Sequence, residues 1–129
     1  RYMIDGSVSS QYISGLLMAL SFFDAPSEVE VTGKLSSVHY IELTTGVLAK
    51  YGVDVTLADN VYAVPGRPQG LKLTGDFEVE GDWSNAAFFL AANLLGGSVE
   101  VTGLREDSAQ PDREIASLVK ELKDFSPIG

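Results

Sequence analysis

Five residues, Val29-Glu30-Val31-Thr32-Gly33, recur as Val99-Glu100-Val101-Thr102-Gly103, an offset of 70. A match of that length has little force alone. Here each copy follows an apolar helix-like stretch and precedes an amphipathic one, and similarity at a fixed period marks a repeated supersecondary unit. The chain is therefore expected to fold as two related pieces, or as parts of them.

In the first copy, Tyr2 to Ile4 reads as a short strand. A helix is predicted from about Ser9 to Phe23, with Ile13, Leu16, Leu17 and Leu20 on one face. Pro26 closes that region, and Glu28 to Thr32 alternates as a half-buried strand does. Ser37 is the expected cap of a second helix running to about Tyr51, with Tyr40, Thr44, Val47, Leu48 and Tyr51 along one side. Gly52 is its stop. Val53, Val55 and Leu57 form a strand, and Asp59-Asn60 turns it into Val61 to Val64. The order is βαβαββ, an α/β (α+β) pattern complete within residues 1–70.

The second copy, residues 71–129, opens with a strand somewhere in Leu71 to Val79. Asp82 or Ser84 caps a helix that reaches Leu95 and stops at Gly96-Gly97. That helix is apolar almost all round, so it is expected to be buried on all sides. The repeat strand Val99 to Gly103 follows. A last helix starts near Pro111, a favoured first-turn residue, with Ile115, Leu118, Val119 and Leu122 as its buried stripe. The two closing strands should start near Asp124, with too few residues left to hold them, so the second unit reads as incomplete. Pro65 to Gly70 joins the copies as a hinge or a surface loop. The chain starts at Arg1, without Met, and reads as a piece of something longer.

Composition removes several functions. The 129 residues carry a net charge of -9 with nine Lys and Arg in all, and no Lys or Arg lies between Tyr2 and Gly33. Nucleic-acid binding needs clustered cations, so it is not expected. No apolar run has the roughly 18–20 residues of a membrane span, so no membrane role is expected. The absence of cysteine rules out a disulfide framework and fits a reducing cytosol. One histidine, His39, argues against a multi-histidine metal site.

Polar residues gather at four predicted helix starts: Ser9-Ser10-Gln11, Ser36-Ser37 with Tyr40, Asp82 with Ser84-Asn85, and Ser108 to Asp112. A helix N-terminus has unpaired N–H groups and a positive dipole end, which suits a phosphate or carboxylate. In a parallel βα arrangement such ends share the edge where ligands bind. Each cluster also has a purely local explanation. Ser9 or Ser10 caps its helix, as does Ser37; Tyr40 is a half-buried aromatic. Asp112 gains about 0.3–1 kcal/mol from a helix dipole. His39 is an exposed loop residue, and Trp83 is packing.

Asp5-Gly6-Ser7-Val8-Ser9-Ser10-Gln11 closely resembles the DGSVSSQ segment of the EPSP (5-enolpyruvylshikimate-3-phosphate) synthase family. Ser37 and Tyr40, with Ile41 and Thr44, resemble its second substrate segment. Val79-Glu80-Gly81-Asp82-Trp83-Ser84 resembles its VEGD(W)S helix start, and Ser108, Gln110 and Asp112 match an S-x-Q-x-D segment. The resemblance runs over essentially the whole chain. It implies repeated βαβαββ units of an inside-out α/β barrel, with Glu80 to Asp82 where the chain crosses between domains. It implies enolpyruvyl transfer from phosphoenolpyruvate to shikimate 3-phosphate in the cytoplasm, for chorismate and aromatic amino acids, with glyphosate as a competitor of phosphoenolpyruvate. No metal or organic cofactor is implied.

By the same resemblance, Ser9, Ser10 and Ser37 bind the 3-phosphate, Tyr40 lines the shikimate ring and Gln11 touches both substrates. Asp112 holds the shikimate hydroxyls and accepts a proton from the attacking one. Two departures stand out: Val38-His39, often a basic residue and proline in the family, and Pro111, often Gly. The family also needs several Lys and Arg that this chain does not supply, so the chain alone is expected to be inactive. The alternative from another class is a stand-alone, non-catalytic module or truncated relative that binds phosphorylated small molecules. Its apolar helix, 86–95, makes self-association an expectation as well.

Overall fold

The computed structural model describes residues 1–35, 37–66, 75, 76 and 78–124. The chain divides into two compact units, Arg1–Asp76 and Phe77–Gly129.

The first unit has the predicted order: β1 (Tyr2–Asp5), α1 (Ser10–Leu20), β2 (Ser27–Thr32), α2 (Val38–Lys50), β3 (Thr56–Ala58) and β4 (Val61–Val64). The sheet order is β1-β2-β4-β3, with β1 parallel to β2 and the other neighbours antiparallel. One face carries Val29, Val31, Tyr62 and Val64, which pack with Ile13, Leu17 and Leu20 of α1 and Ile41 and Leu48 of α2. The opposite face holds Glu28 and Glu30, bridged by Arg1 at 3.8 and 3.0 Å. Alternation along β2 thus separates core from solvent, as period-two patterning requires.

The ends of these elements explain where sequence expectations miss. Helix α1 stops at Leu20 rather than Phe23. Ser21 caps it, its hydroxyl donating to the Met18 carbonyl at 2.6 Å, and Phe22 and Phe23 bond three residues back, which tightens the chain out of the helix. Helix α2 ends in a Schellman motif: Gly52, at φ +74°, donates to Ala49 O, and Val53 N–H donates to Leu48 O. Val53 is therefore buried as a cap contact instead of a strand residue. Val55 N–H then turns back to Val53 O, so β3 begins only at Thr56. Asp59 and Asn60 both have positive φ, +49° and +62°, as a two-residue type I′ hairpin turn demands.

The second unit contains α3 (Trp83–Leu94), a 3₁₀ turn (Pro111–Glu114) and α4 (Ile115–Asp124). Asp82 caps α3, accepting from the Ser84 and Asn85 N–H groups at 2.9 and 3.4 Å. Three expectations fail here. Val99 to Gly103 is not a strand: no strand runs beside it among the described residues, and Val99 instead exchanges two 2.8 Å bonds with the Asn93 side-chain amide. Helix α3 buries only Trp83 and Ala86, while Phe88 is 75% exposed. The α4 stripe is only half covered, with Leu118 and Leu122 exposed. The opening strand expected in Leu71 to Val79 lies largely outside the described residues, as do Arg67 to Gly70 of the joint.

The described architecture is mixed α/β, four α-helices with one four-stranded sheet. No helix among the described residues is long and apolar enough to cross a membrane.

Candidate functional site

Asp5 organises the turn between β1 and α1. Its carboxylate accepts from the Ser7 hydroxyl at 2.7 Å and the Ser7 N–H at 2.9 Å. Those bonds, the hydroxyl first, hold its pKa below the ordinary aspartate value. Gly6 donates to Thr32 O, and a Cβ on Gly6 would lie 2.7 Å from Val31 Cγ1. Only glycine lets the turn close onto β2 there.

That turn delivers Ser9 and Ser10 to the start of α1. Ser9 is the N-cap; its hydroxyl accepts from Gln11 N–H at 3.2 Å. Ser10, 6% exposed, is the first helical residue, and no side-chain hydrogen bond of Ser10 is found among the described residues. One serine is thus spent on capping while its neighbour keeps a hydroxyl available.

Ser37 precedes α2, but it does not cap the helix as expected. Its backbone is left-handed, φ 56° and ψ 50°, whereas a capping serine is normally extended, and it makes no side-chain cap bond. A non-glycine residue held in this region is strained, and such positions cluster at functional sites. Tyr40 is 44% exposed rather than part of the buried face, which consists of Ile41 and Leu48. His39 belongs to α2 instead of a loop and pairs with Glu42 at 3.1 Å.

Ser9, Ser10, Gln11, Ser37 and Tyr40 converge on one open cavity of about 540 Å³. Ser14, Met18, Leu43 and Thr44 complete its lining. The volume falls within the usual range for small-molecule sites. Among the described residues the lining contains neither Lys nor Arg, so the attraction these residues offer an anion comes from hydroxyls, an amide and helix-end N–H groups.

In the second unit the third and fourth polar clusters meet. The Gln110 side chain accepts from Trp83 N–H at 2.9 Å and donates to Gly81 O at 2.9 Å, clamping the turn before α3. Ser84 donates to Asp112 Oδ2 at 2.8 Å. The Trp83 ring is buried, as expected of packing, and its N–H also donates to Arg105 O at 3.2 Å. Arg105 and Asp107 form a two-point pair, at 3.0 and 2.7 Å, that raises the Arg105 pKa and lowers that of Asp107. Pro111 starts the 3₁₀ turn that carries Asp112. No group of three His, Asp or Glu side chains gathers as metal ligands would among the described residues.

A family model described as EPSP synthase (3-phosphoshikimate 1-carboxyvinyltransferase) matches residues 1–124. The chain belongs to the EPSP synthase family. The 3-phosphoshikimate 1-carboxyvinyltransferase of Pasteurella multocida (strain Pm70) is 41% identical over 123 residues, 95% of this chain and 28% of that protein. That of Idiomarina loihiensis is also 41% identical, covering 94% of this chain and 28% of its own length. A protein of the same name from Methanopyrus kandleri is 36% identical over 122 residues, with 95% and 28% covered. The chain therefore spans little more than a quarter of these curated relatives.

Ser14, Met18 and Leu43 were not legible as lining from the EPSP synthase resemblance, and Thr44, which falls in its second substrate segment, was given no role there. Ser10, Ser14 and Met18 stand four residues apart, so they form one row on α1; Tyr40 and Thr44 form a facing pair on α2. Helical spacing counted from Ser10 and Tyr40 would have found Ser14, Met18 and Thr44.

Proposed function

We propose that this chain forms part of an EPSP synthase and carries the uncharged portion of its shikimate 3-phosphate site. In this reading Ser9, Ser10 and Ser37 hold the phosphate, Gln11 contacts both shikimate 3-phosphate and phosphoenolpyruvate, and Tyr40 lines the ring. The whole protein moves enolpyruvyl to shikimate 3-phosphate and releases phosphate, in the cytoplasm and without a metal or organic cofactor. Residues 1–70 are one complete βαβαββ unit of an inside-out α/β barrel; 71–129 are the crossover and part of a second.

The observation that carries this reading is the single cavity shared by all five predicted residues of the first unit. The same cavity limits it. Two multiply charged substrates need full cationic charges, and the described residues of the lining supply none. Titration of the chain with shikimate 3-phosphate should shift the amides of Ser9, Ser10 and Ser37 at millimolar rather than micromolar ligand. No phosphate should be released when phosphoenolpyruvate is added. Absence of shifts removes the site; phosphate release removes the claim of inactivity. Shifts without turnover also fit the second reading, a non-catalytic module for phosphorylated small molecules. An intact mass matching a 13.8 kDa gene product selects that one.

Asp112 carries two candidate duties. The family resemblance makes it the proton acceptor for the attacking hydroxyl, the role of a carboxylate within hydrogen-bond reach. Its bond from Ser84 favours an anchor for the start of α3. The exposed Phe88 and Phe89 of α3 keep self-association of the chain within the proposal.

A further inference from the structure

The cavity has two chemically different ends. One is the start of α1, where the Ser10 hydroxyl, the Gln11 amide and helix-end N–H groups are donors suited to an anion. The other end, a turn further along both helices, is formed by Ser14, Met18, Leu43 and Thr44.

Thr44 Oγ1 lies 2.9 Å from Ser14 Oγ and 2.9 Å from the Tyr40 carbonyl oxygen. A hydroxyl carries a single proton, and a carbonyl carries none. Both contacts can be hydrogen bonds only if Thr44 donates to Tyr40 O and Ser14 donates to Thr44. The relay consumes both protons. Ser14 and Thr44 then present lone pairs, and no donor, to the cavity. An anion is repelled by such a wall, whereas a ligand hydroxyl is matched by it. Met18 and Leu43 beside the pair remove competing donors.

We infer that Ser14 and Thr44 are specificity-determining residues that accept a hydroxyl of the bound phosphate ester, so that the cavity selects a hydroxylated phosphate monoester over bare phosphate. The inference rests on the phosphate-site reading above. It adds a requirement on the body of the ligand, and residues to which that reading gave no role.

Two probes and three variants test it on the 129-residue chain. Dissociation constants for inorganic phosphate and for shikimate 3-phosphate are measured by NMR titration. The wild-type chain should prefer the ester. Thr44→Val, nearly the same shape without the hydroxyl, should cut that preference by about tenfold, the scale of one hydrogen bond, with phosphate affinity unchanged. Thr44→Ser should retain the preference. Ser14→Ala should reproduce the loss and serves as the second variant if Thr44→Val does not fold. An equal fall for both probes makes the pair a structural tie between α1 and α2 and overturns the inference. So does an unchanged preference in Thr44→Val. If inorganic phosphate fails to shift Ser9, Ser10 and Ser37 in the wild-type chain, the phosphate-site reading itself has failed, which is a separate result.

Discussion

Val29-Glu30-Val31-Thr32-Gly33 and Val99-Glu100-Val101-Thr102-Gly103 are the same pentapeptide with different structures. The first is the centre of a sheet, paired with β1 on one side and β4 on the other. The second is irregular, and Val99 bonds the Asn93 amide where the first copy bonds neighbouring strands. Some features survive the change. Gly33 and Gly103 both have positive φ, +72° and +83°. In each unit a glycine ahead of a helix donates to a carbonyl at the end of the pentapeptide: Gly6 to Thr32 O and Gly81 to Gly103 O, both at 2.9 Å. The local glycine geometry is thus a property of the sequence. The strand is a property of its neighbours, because strand propensity reflects fit to a paired, half-buried surface.

The two units also satisfy their remaining backbone groups by different means. The first uses strands. The second uses side-chain amides, Asn93 on Val99 and Gln110 on the Gly81 to Trp83 turn. Burial follows the same division: among the described residues the first unit has a core of ten buried hydrophobic side chains, whereas in the second only Trp83, Ala86 and Ser108 are buried.

The largest effect expected from this contrast is in the core. Leu17→Ala, at a fully buried site, should cost roughly 2–5 kcal/mol, and Leu118→Ala, at a site 46% exposed, less than about 1 kcal/mol. Denaturant unfolding of the two variants gives the difference. Hydrogen exchange should place the loss of protection for Leu17→Ala at Val29 and Val31. Equal costs would remove the distinction between a packed and a loosely packed unit.

Next in size is the amide clamp. Gln110→Ala leaves Trp83 N–H and Gly81 O without their partner in a partly buried turn, at a cost of about 1–3 kcal/mol. Asn93→Ala should cost less, because its bonds to Val99 are exposed and water replaces them. Exchange at the Trp83 amide should accelerate in the first variant and stay unchanged in the second. A larger effect from Asn93→Ala would mean that Val99 behaves as a paired strand after all.

Legibility from sequence follows the same line. Every element of the first unit was readable, since its signals are local: the alternation of β2, the Gly52 stop and the Asp59-Asn60 turn. Ser9, Ser10, Gln11, Ser37 and Tyr40, the candidate substrate-binding residues of that unit, line one cavity. The errors arise where tertiary context decides. Ser37 has a capping residue's identity and position, but its left-handed backbone withholds the hydroxyl. Val53 looks like the start of a strand and serves as the last contact of a Schellman motif. In the second unit, apolar periodicity predicted burial for α3 and α4, yet periodicity specifies only which face would be covered and cannot supply what covers it. The Asn93 and Gln110 clamps carry no local signal, because each joins a side chain to backbone six or more residues away.

The smallest expected effect concerns the turns themselves. Asp5 holds the first turn with a charged group, while Gln110 holds the second with a neutral one. Since hydrogen bonds from Ser7 lower the Asp5 pKa in the folded chain, its contribution is complete above the ordinary aspartate value near 4. It is lost as pH falls through the lower, folded value, because the unfolded chain takes up that proton first. The Ser7 amide should therefore titrate with a midpoint below about 4, and Asp5→Asn should flatten that titration. Asp5 is exposed, so global stability should change little. The Gln110 amide takes up no proton over this range, so its bond to Trp83 N–H should persist at acidic pH where the Asp5 turn has loosened. A Ser7 midpoint at or above the ordinary value would show that the Asp5 bonds do not form in solution. The glycine geometry common to the two turns would then have to hold the first one unaided.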